Sequence, residues 1–311
     1  MAYFIGAVNA NSVLAQQADK PMMITANAIT ASAVVAWRSS GSFASGVDET
    51  AAGFATSRVF DGFHHLQTKP TTLADPVYLL IDMSASAGSF DCVALIGHNF
   101  GEMATPVTVT MQIADDNAFT SSLRDVATKV DVLGKRAVWH SLGIPAGGSF
   151  ESYSGVEYAR LKIAGHDRVP AVGQLILGSR HQMSQRPDQP YDDAETHSDT
   201  VDFISQGGAV SRYARNVGRR EFRPTWSPAG VDAFSLDDLA TLRAWFAATA
   251  QGSKPFVYID KPESEKEATG ITRTAHYVLA QPSLTMPLEG PVLRKGSFVF
   301  VETSPFVLGE S

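Results

Sequence analysis

The sequence predicts a mainly β protein: an N-terminal jelly-roll β-sandwich followed by a smaller C-terminal β domain, a barrel or sheet with one packed α-helix. Three observations predict it. From Pro76 onward, short β-rich runs recur between Gly, Pro, Asp and Ser, at the spacing of an all-β sandwich. Val107, Val109, Met111 and Ile113 alternate with Thr108, Thr110 and Gln112, which puts the apolar set on one face of a strand. Only between Leu236 and Phe246 does an apolar stripe recur convincingly at helical spacing.

Taken in order, Val77–Ile81, Cys92–Ile96, Ala159–Ile163 and Gln174–Leu177 are short, almost continuously apolar runs, and read as strands in the middle of the packed sandwich. Val107–Ile113 reads as a half-buried strand. The stretch Gln182–Thr200 holds two prolines, several acids and almost no apolar residue, so it reads as a linker with too little apolar surface to pack as an element. Residues 1–181 are then the sandwich, 182–200 the linker and 201–311 the second domain. Beyond the linker, Arg212, Arg215, Arg219, Arg220 and Arg223 fall close together, interleaved with Tyr213 and Phe222 and followed by Trp226, as extended strand with basic edges.

Ser235 as N-cap, with Asp238 three residues on, predicts the start of a helix. Its stripe of Leu236, Leu239, Ala240, Leu242, Trp245 and Phe246 packs on a sheet, and Gly252 with Pro255 supplies the stop. Phe256–Ile259, an acidic loop with Glu263, Glu265 and Glu267, and Ile271–Leu279 read as a strand, a long turn and a returning strand. Ser297–Val301 is the final strand.

Composition narrows the function. Hydrophobic residues make up 44% and charged residues 18%, the balance of a folded chain. Lys+Arg 25 against Asp+Glu 32 leaves a formal charge of -7, so no net positive field draws nucleic acid or anionic lipid. No run reaches the roughly 18 apolar residues that span a bilayer, and the start lacks a basic region before an apolar stretch, so neither a membrane span nor a secretory signal is expected. The single cysteine, Cys92, excludes an internal disulfide and any zinc site that needs two thiolates from this chain.

Phosphate-binding, dinucleotide-binding, zinc-protease and serine-hydrolase signatures are all absent, so no catalytic constellation and no cofactor is expected. Asp61-Gly62 is a turn signal whose carboxylate, a hard oxygen ligand, suits calcium or a sugar; a plain turn is the alternative. His64 and His65 are adjacent, so their side chains diverge and one metal does not hold both. His98 follows a buried strand, as a ligand, a base or a hydrogen-bonded strand-end histidine. Cys92, inside that strand, reads as a small hydrophobe. The candidate ligand-binding residues are therefore Asp61, His64, His65 and His98, with no metal centre expected. Arg219, Arg220, Phe222 and Trp226 have the types enriched at subunit interfaces; the alternative is a solvated strand face paired with acids near Asp192 and Glu263.

Ala55–Gly62, Pro76–Asp82, Phe90–Asn99 and Tyr158–Ile163, in that order, resemble discoidin-like (galactose-binding-like) jelly rolls. Where that family has a Trp soon after the Asp-Gly turn, this chain has Phe63-His64-His65-Leu66. The second part resembles the C-terminal regions of tailed-bacteriophage tail-tip proteins. The carrying residues are Arg219 to Trp226, Asp237 to Phe246, Gly252, and Pro255 to Asp260. Together the resemblances imply a distal-tail or baseplate protein bearing a carbohydrate-binding-type domain. That protein would be a structural virion component assembled in the host cytoplasm, forming a homo-oligomeric ring, contacting other phage tail proteins and meeting host surface carbohydrate. A host-glycan-binding module and a polysaccharide depolymerase are the alternatives.

Overall fold

The computed structural model describes residues 4–5, 22–25, 28–61, 66–132, 139–142, 153–183, 192–196, 200–204, 210–214, 219–226, 236–250, 254–259, 275–280 and 296–302. The chain divides into two compact units, Met1–Gln182 with Val257–Ala275, and Met183–Phe256 with His276–Ser311.

The first unit is a jelly-roll-type β-sandwich. Its strands are β1 (Phe4–Ile5), β2 (Met22–Thr25), β3 (Val34–Arg38), β4 (Val77–Asp82), β5 (Gly88–Phe90), β6 (Cys92–Ile96), β7 (Val107–Ala114), β8 (Arg124–Val132), β9 (Trp139–Leu142), β10 (Tyr153–Val156), β11 (Tyr158–Ala164) and β12 (Gln174–Gln182). One antiparallel sheet has the order β3-β4-β11-β7-β8. The other runs β1-β9-β6-β12-β2 and continues into residues 257–259; among the described residues only β1 and β9 pair in parallel there.

Register makes the core. Leu79, Leu161 and Met111 share one cross-strand row, Ile81, Ala159 and Ile113 a second, and Val77, Ile163 and Val109 a third. All are buried, in one cluster with Val93, Leu95, Leu175 and Leu177 of the opposite sheet and with Trp37, Phe90 and Phe100. Each large aliphatic in such a place stabilises the fold by about 1.5–3 kcal/mol relative to exposure.

The alternating strand β7 is buried on both faces, not one: Thr110 and Gln112 are each 7% exposed. Two loops cover that outer face. Phe43 and Phe119 pack there with Leu80, Ala114, Tyr78 and Tyr158, and the Phe43 amide donates to the Asn117 carbonyl at 2.9 Å. The Arg160 guanidinium lies 4.8 Å from the Tyr78 ring centroid and 4.5 Å from that of Phe119, and donates to the Gly41 carbonyl and to Gln112 Oε1. Gln112 passes the chain on, its Nε2 donating to Asp125 Oδ1 at 2.6 Å. On β3, Arg38 reaches the carbonyls of Ser42, Phe43, Ser45 and Gly46 and so holds the same loop from its other side.

The second unit contains β13 (Asp192–Thr196), β14 (Thr200–Ile204), β15 (Val210–Ala214), β16 (Arg219–Arg223), β17 (Thr225–Trp226), α1 (Leu236–Ala248), the first residue of β18 (Phe256–Ile259), β19 (Ala275–Ala280), β20 (Gly296–Ser297) and β21 (Phe300–Glu302). One sheet runs β19-β21-β16-β13, β14 pairs with β15, and β17 with β20. The polar stretch expected to stay outside the elements contributes β13. Its register sets Asp192 opposite Arg223 and Glu195 opposite Arg220.

Helix α1 buries Leu242 and Trp245 completely, with Phe246 half-buried. Ala240, expected in the stripe, is exposed, because positions two residues apart point about 200° apart around a helix. Trp245 meets Phe256, Phe298 and Phe300 edge-on, at centroid distances of 5.1, 5.7 and 5.7 Å. The expected final strand is split, as β20 and β21 flank the buried Phe298. Ser235, Gly252 and the acidic loop with Glu263, Glu265 and Glu267 lie outside the described residues.

The left-handed residue that ends α1 is Ala250, at φ 47°, and its amide donates to the Ala247 carbonyl. A Cβ is disfavoured in that conformation. Ala250→Gly is therefore expected to stabilise the second unit by about 1 kcal/mol. A urea midpoint that falls or stays unchanged would contradict this account of the helix terminus.

Candidate functional site

The loops at one end of the sandwich, where β6 finishes and β12 begins, are tied to one another by polar contacts. The 3-10 turn Thr56–Val59 is anchored by the fully buried Val59 and leads to the exposed Asp61. Gln174, the first residue of β12 and 2% exposed, pairs with Ile96 across the sheet. Its Nε2 donates to Asp61 Oδ1 at 2.9 Å and to the Arg58 carbonyl at 2.5 Å. Arg58 in turn donates to the Gln67 carbonyl, and Gln67 Nε2 to the Gly97 carbonyl at 2.6 Å. Next to it, the Thr68 amide donates to the Val172 carbonyl and the Val172 amide to that of Thr68.

His98 is brought to this end, but inside it. Gly97, at φ 71°, turns the chain out of β6 and sends the imidazole inward. His98 is 1% exposed, its Nδ1 accepts from the Phe100 amide, and its ring stacks on Phe100 at 4.3 Å. Asn99 pins two loops together: its Nδ2 donates to the Val169 carbonyl and its Oδ1 accepts from the Ala171 amide. His64 and His65 lie outside the described residues. Of the four candidate ligand residues, Asp61 is exposed and His98 is packed into the core.

The same region holds a group without a local sequence signal. Lys69 Nζ sits 4.0 Å from the Phe54 ring centroid and Arg58 Cζ 5.7 Å from it. All three side chains are half-buried, and among the described residues neither cation has a carboxylate within ion-pair distance. Phe54 and Lys69 belong to no element, which is why no periodicity marks them. Among the described residues no cluster of three or more His, Cys, Asp or Glu could hold a metal ion.

Elsewhere in the sandwich, burial pushes the Cys92 thiol well above its usual range, with the Asp91 carboxylate adding to the effect, so the thiolate is suppressed. Burial also pushes the His181 imidazole down, opposed by Asp91. The ring nitrogen Nε2 of His181 hydrogen-bonds Thr25 Oγ1 at 2.8 Å.

In the second unit, Arg219, Arg220 and Phe222 lie on β16, whose two edges are both taken, by β13 and β21. Trp226 stands in register with Gly296. Arg223 pairs with Glu221 at 2.7 Å on the surface, a pair of the kind worth at most about 1 kcal/mol.

No protein-family model and no curated protein sequence matches this chain. Among solved structures, it is similar to chitosan-binding module 1 of a chitosanase/glucanase from Paenibacillus sp. IK-5, at 16% identity and TM-score 0.33, over 48% of this chain and 96% of that one. It is also similar to CBM32-1 from a family 31 glycoside hydrolase of Clostridium perfringens, at 12% identity and TM-score 0.29, over 48% of this chain and 95% of that one. A third similar structure is SpGH29, at 14% identity and TM-score 0.32, matched over 49% of this chain; the chain spans only 28% of SpGH29's length. The first unit is a mainly β sandwich, and its jelly-roll assignment rests on its own two-sheet topology.

The depressed His181 value has a consequence for stability. The unfolded chain protonates this ring at its usual 6.5 while the native ring titrates below that, so as pH falls past 6.5 the unfolded state binds more protons and stability is lost. The loss stops growing once the native ring also protonates. His181→Gln, which keeps a hydrogen-bonding group for Thr25, is expected to flatten the dependence of the urea midpoint on pH between about 7 and 5. An unchanged slope would assign the acid sensitivity to other groups.

Proposed function

We propose that this chain is a non-enzymatic structural subunit of a tailed-phage tail tip or baseplate. The second unit makes contacts between copies in a ring, and the first presents a carbohydrate-binding-like sandwich on the virion. The observation that carries this reading is the convergence of the tail-tip-like pieces. The Arg219–Arg223 strand, Trp226, the helix bearing Trp245, and Phe256 belong to one unit, where Trp245 is the centre of an aromatic cluster. A closed ring needs heterologous interfaces, each with an aromatic or arginine core. Because both edges of β16 are occupied, Arg219, Arg220 and Phe222 would meet a neighbouring copy, or another tail protein, through a sheet face.

The test is light scattering after size exclusion over a range of concentrations. A closed oligomer is the expected result, and Trp226→Ala is expected to raise the concentration needed for assembly by about tenfold or more. Wild-type protein that stays monomeric throughout would remove the self-assembling ring, and identical rings formed by the variant would remove Trp226 from the interface.

A second reading, recognition of host surface glycan, is favoured by the half-exposed Lys69 and Arg58 beside Phe54 in an otherwise acidic chain. Binding to an acidic glycan on an array, weakened about tenfold by Lys69→Met, is the expected outcome of that reading. An array without signal would leave the sandwich a protein-binding module.

A further inference from the structure

We propose that the side-chain amide of Gln174 stands where a cation would otherwise sit beside Asp61, so that this end of the sandwich is closed by a neutral protein donor instead of a metal ion. The resemblance to discoidin-like domains and the Asp61-Gly62 turn both raise the expectation of calcium here, and the residues present do not fit it. Two hard oxygens, the Asp61 carboxylate and the Arg58 carbonyl, converge on one atom, Gln174 Nε2, at 2.9 and 2.5 Å. That atom carries two hydrogens, one for each oxygen.

The arrangement is built in advance. Gln174 is 2% exposed and fixed by its register with Ile96, while the fully buried Val59 anchors the turn that carries Arg58 and Asp61. Calcium takes about six to eight oxygen ligands at about 2.3–2.6 Å, usually several of them carboxylates. Here the convergent point is filled by N–H, and among the described residues Asp61 belongs to no cluster of three metal-ligating side chains. Turning the amide round would aim Oε1 at two other oxygens, an arrangement that only a cation could stabilise. The amide-closed and cation-closed states therefore exclude one another, and the choice lies in one side chain.

Gln174→Glu tests it, by replacing the donor with a third oxygen and adding a negative charge. The wild-type chain is expected to unfold at the same temperature in excess EDTA and in millimolar calcium chloride, and to give no calorimetric binding of calcium. Gln174→Glu is expected to melt about 5 °C or more lower in EDTA and to recover in calcium but not in sodium chloride of equal ionic strength. Adding Asp61→Asn to that variant should abolish the recovery. A saturable rise in wild-type melting temperature with calcium, lost in Asp61→Asn, would overturn the proposal, as would a Gln174→Glu protein that is indifferent to both EDTA and calcium. Should Gln174→Glu fold in neither buffer, the wild-type titration decides alone: no response upholds the amide-closed end, and an Asp61-dependent response overturns it.

Discussion

The contact on which the end of the sandwich depends is the hydrogen bond from Trp37 Nε1 to Thr68 Oγ1, 3.0 Å long and buried. A tryptophan can fill the space between two sheets only if its indole N–H finds an acceptor there. Thr68 provides it and passes its own proton to the Phe54 carbonyl, while its backbone exchanges hydrogen bonds with Val172. The hydroxyl thus joins the core to Phe54, and the backbone of the same residue bridges to Val172, two residues before Gln174. Remove the hydroxyl and the indole donor and the Phe54 carbonyl both lose their partner.

The outer face of the five-stranded sheet follows a different logic. There the core of Phe43, Phe119 and Leu80 is small, and Arg160 supplies what aliphatic volume does not. Its stem packs, its guanidinium engages two aromatic rings, and its N–H groups go to Gln112 and the Gly41 carbonyl. Burial lowers its affinity for a proton, with Tyr78 and Asp125 opposing, yet an arginine stays charged under such a shift. Gln112 of β7 is covered with partners in this row, Arg160 and Asp125.

These contacts separate what the sequence made legible from what it did not. Period-two alternation placed Val107, Val109, Met111 and Ile113 on the core face, since that face is decided by neighbours of fixed geometry. The other face is covered by elements such as Arg160, which lies far away in sequence and contacts Gln112, and no local pattern of the strand encodes it. The strand Asp192–Thr196 has little apolar surface of its own, and it is a strand through its backbone pairing with β16, which no local pattern encodes. Asp61 was marked by its turn, but its partner Gln174 lies far away in sequence, and a lone glutamine at the head of an apolar strand carries no signal of what it will bind.

The same comparison explains why one candidate residue, His98, is buried in the structure. His98 draws attention as a polar residue after an apolar strand. A loop folded back over a core must satisfy the backbone groups it buries, and polar side chains are the means: Asn99 binds Val169 and Ala171, and His98 takes the Phe100 amide. That role demands particular polar atoms in particular places, so it leaves a conspicuous pattern. A half-buried side chain held by one ring, as Lys69 is beside Phe54, leaves no such pattern and is locally indistinguishable from any other lysine in the sequence. Its distinction comes from what surrounds it: an aromatic ring at 4.0 Å, a second cation near the same ring, and no carboxylate partner among the described residues.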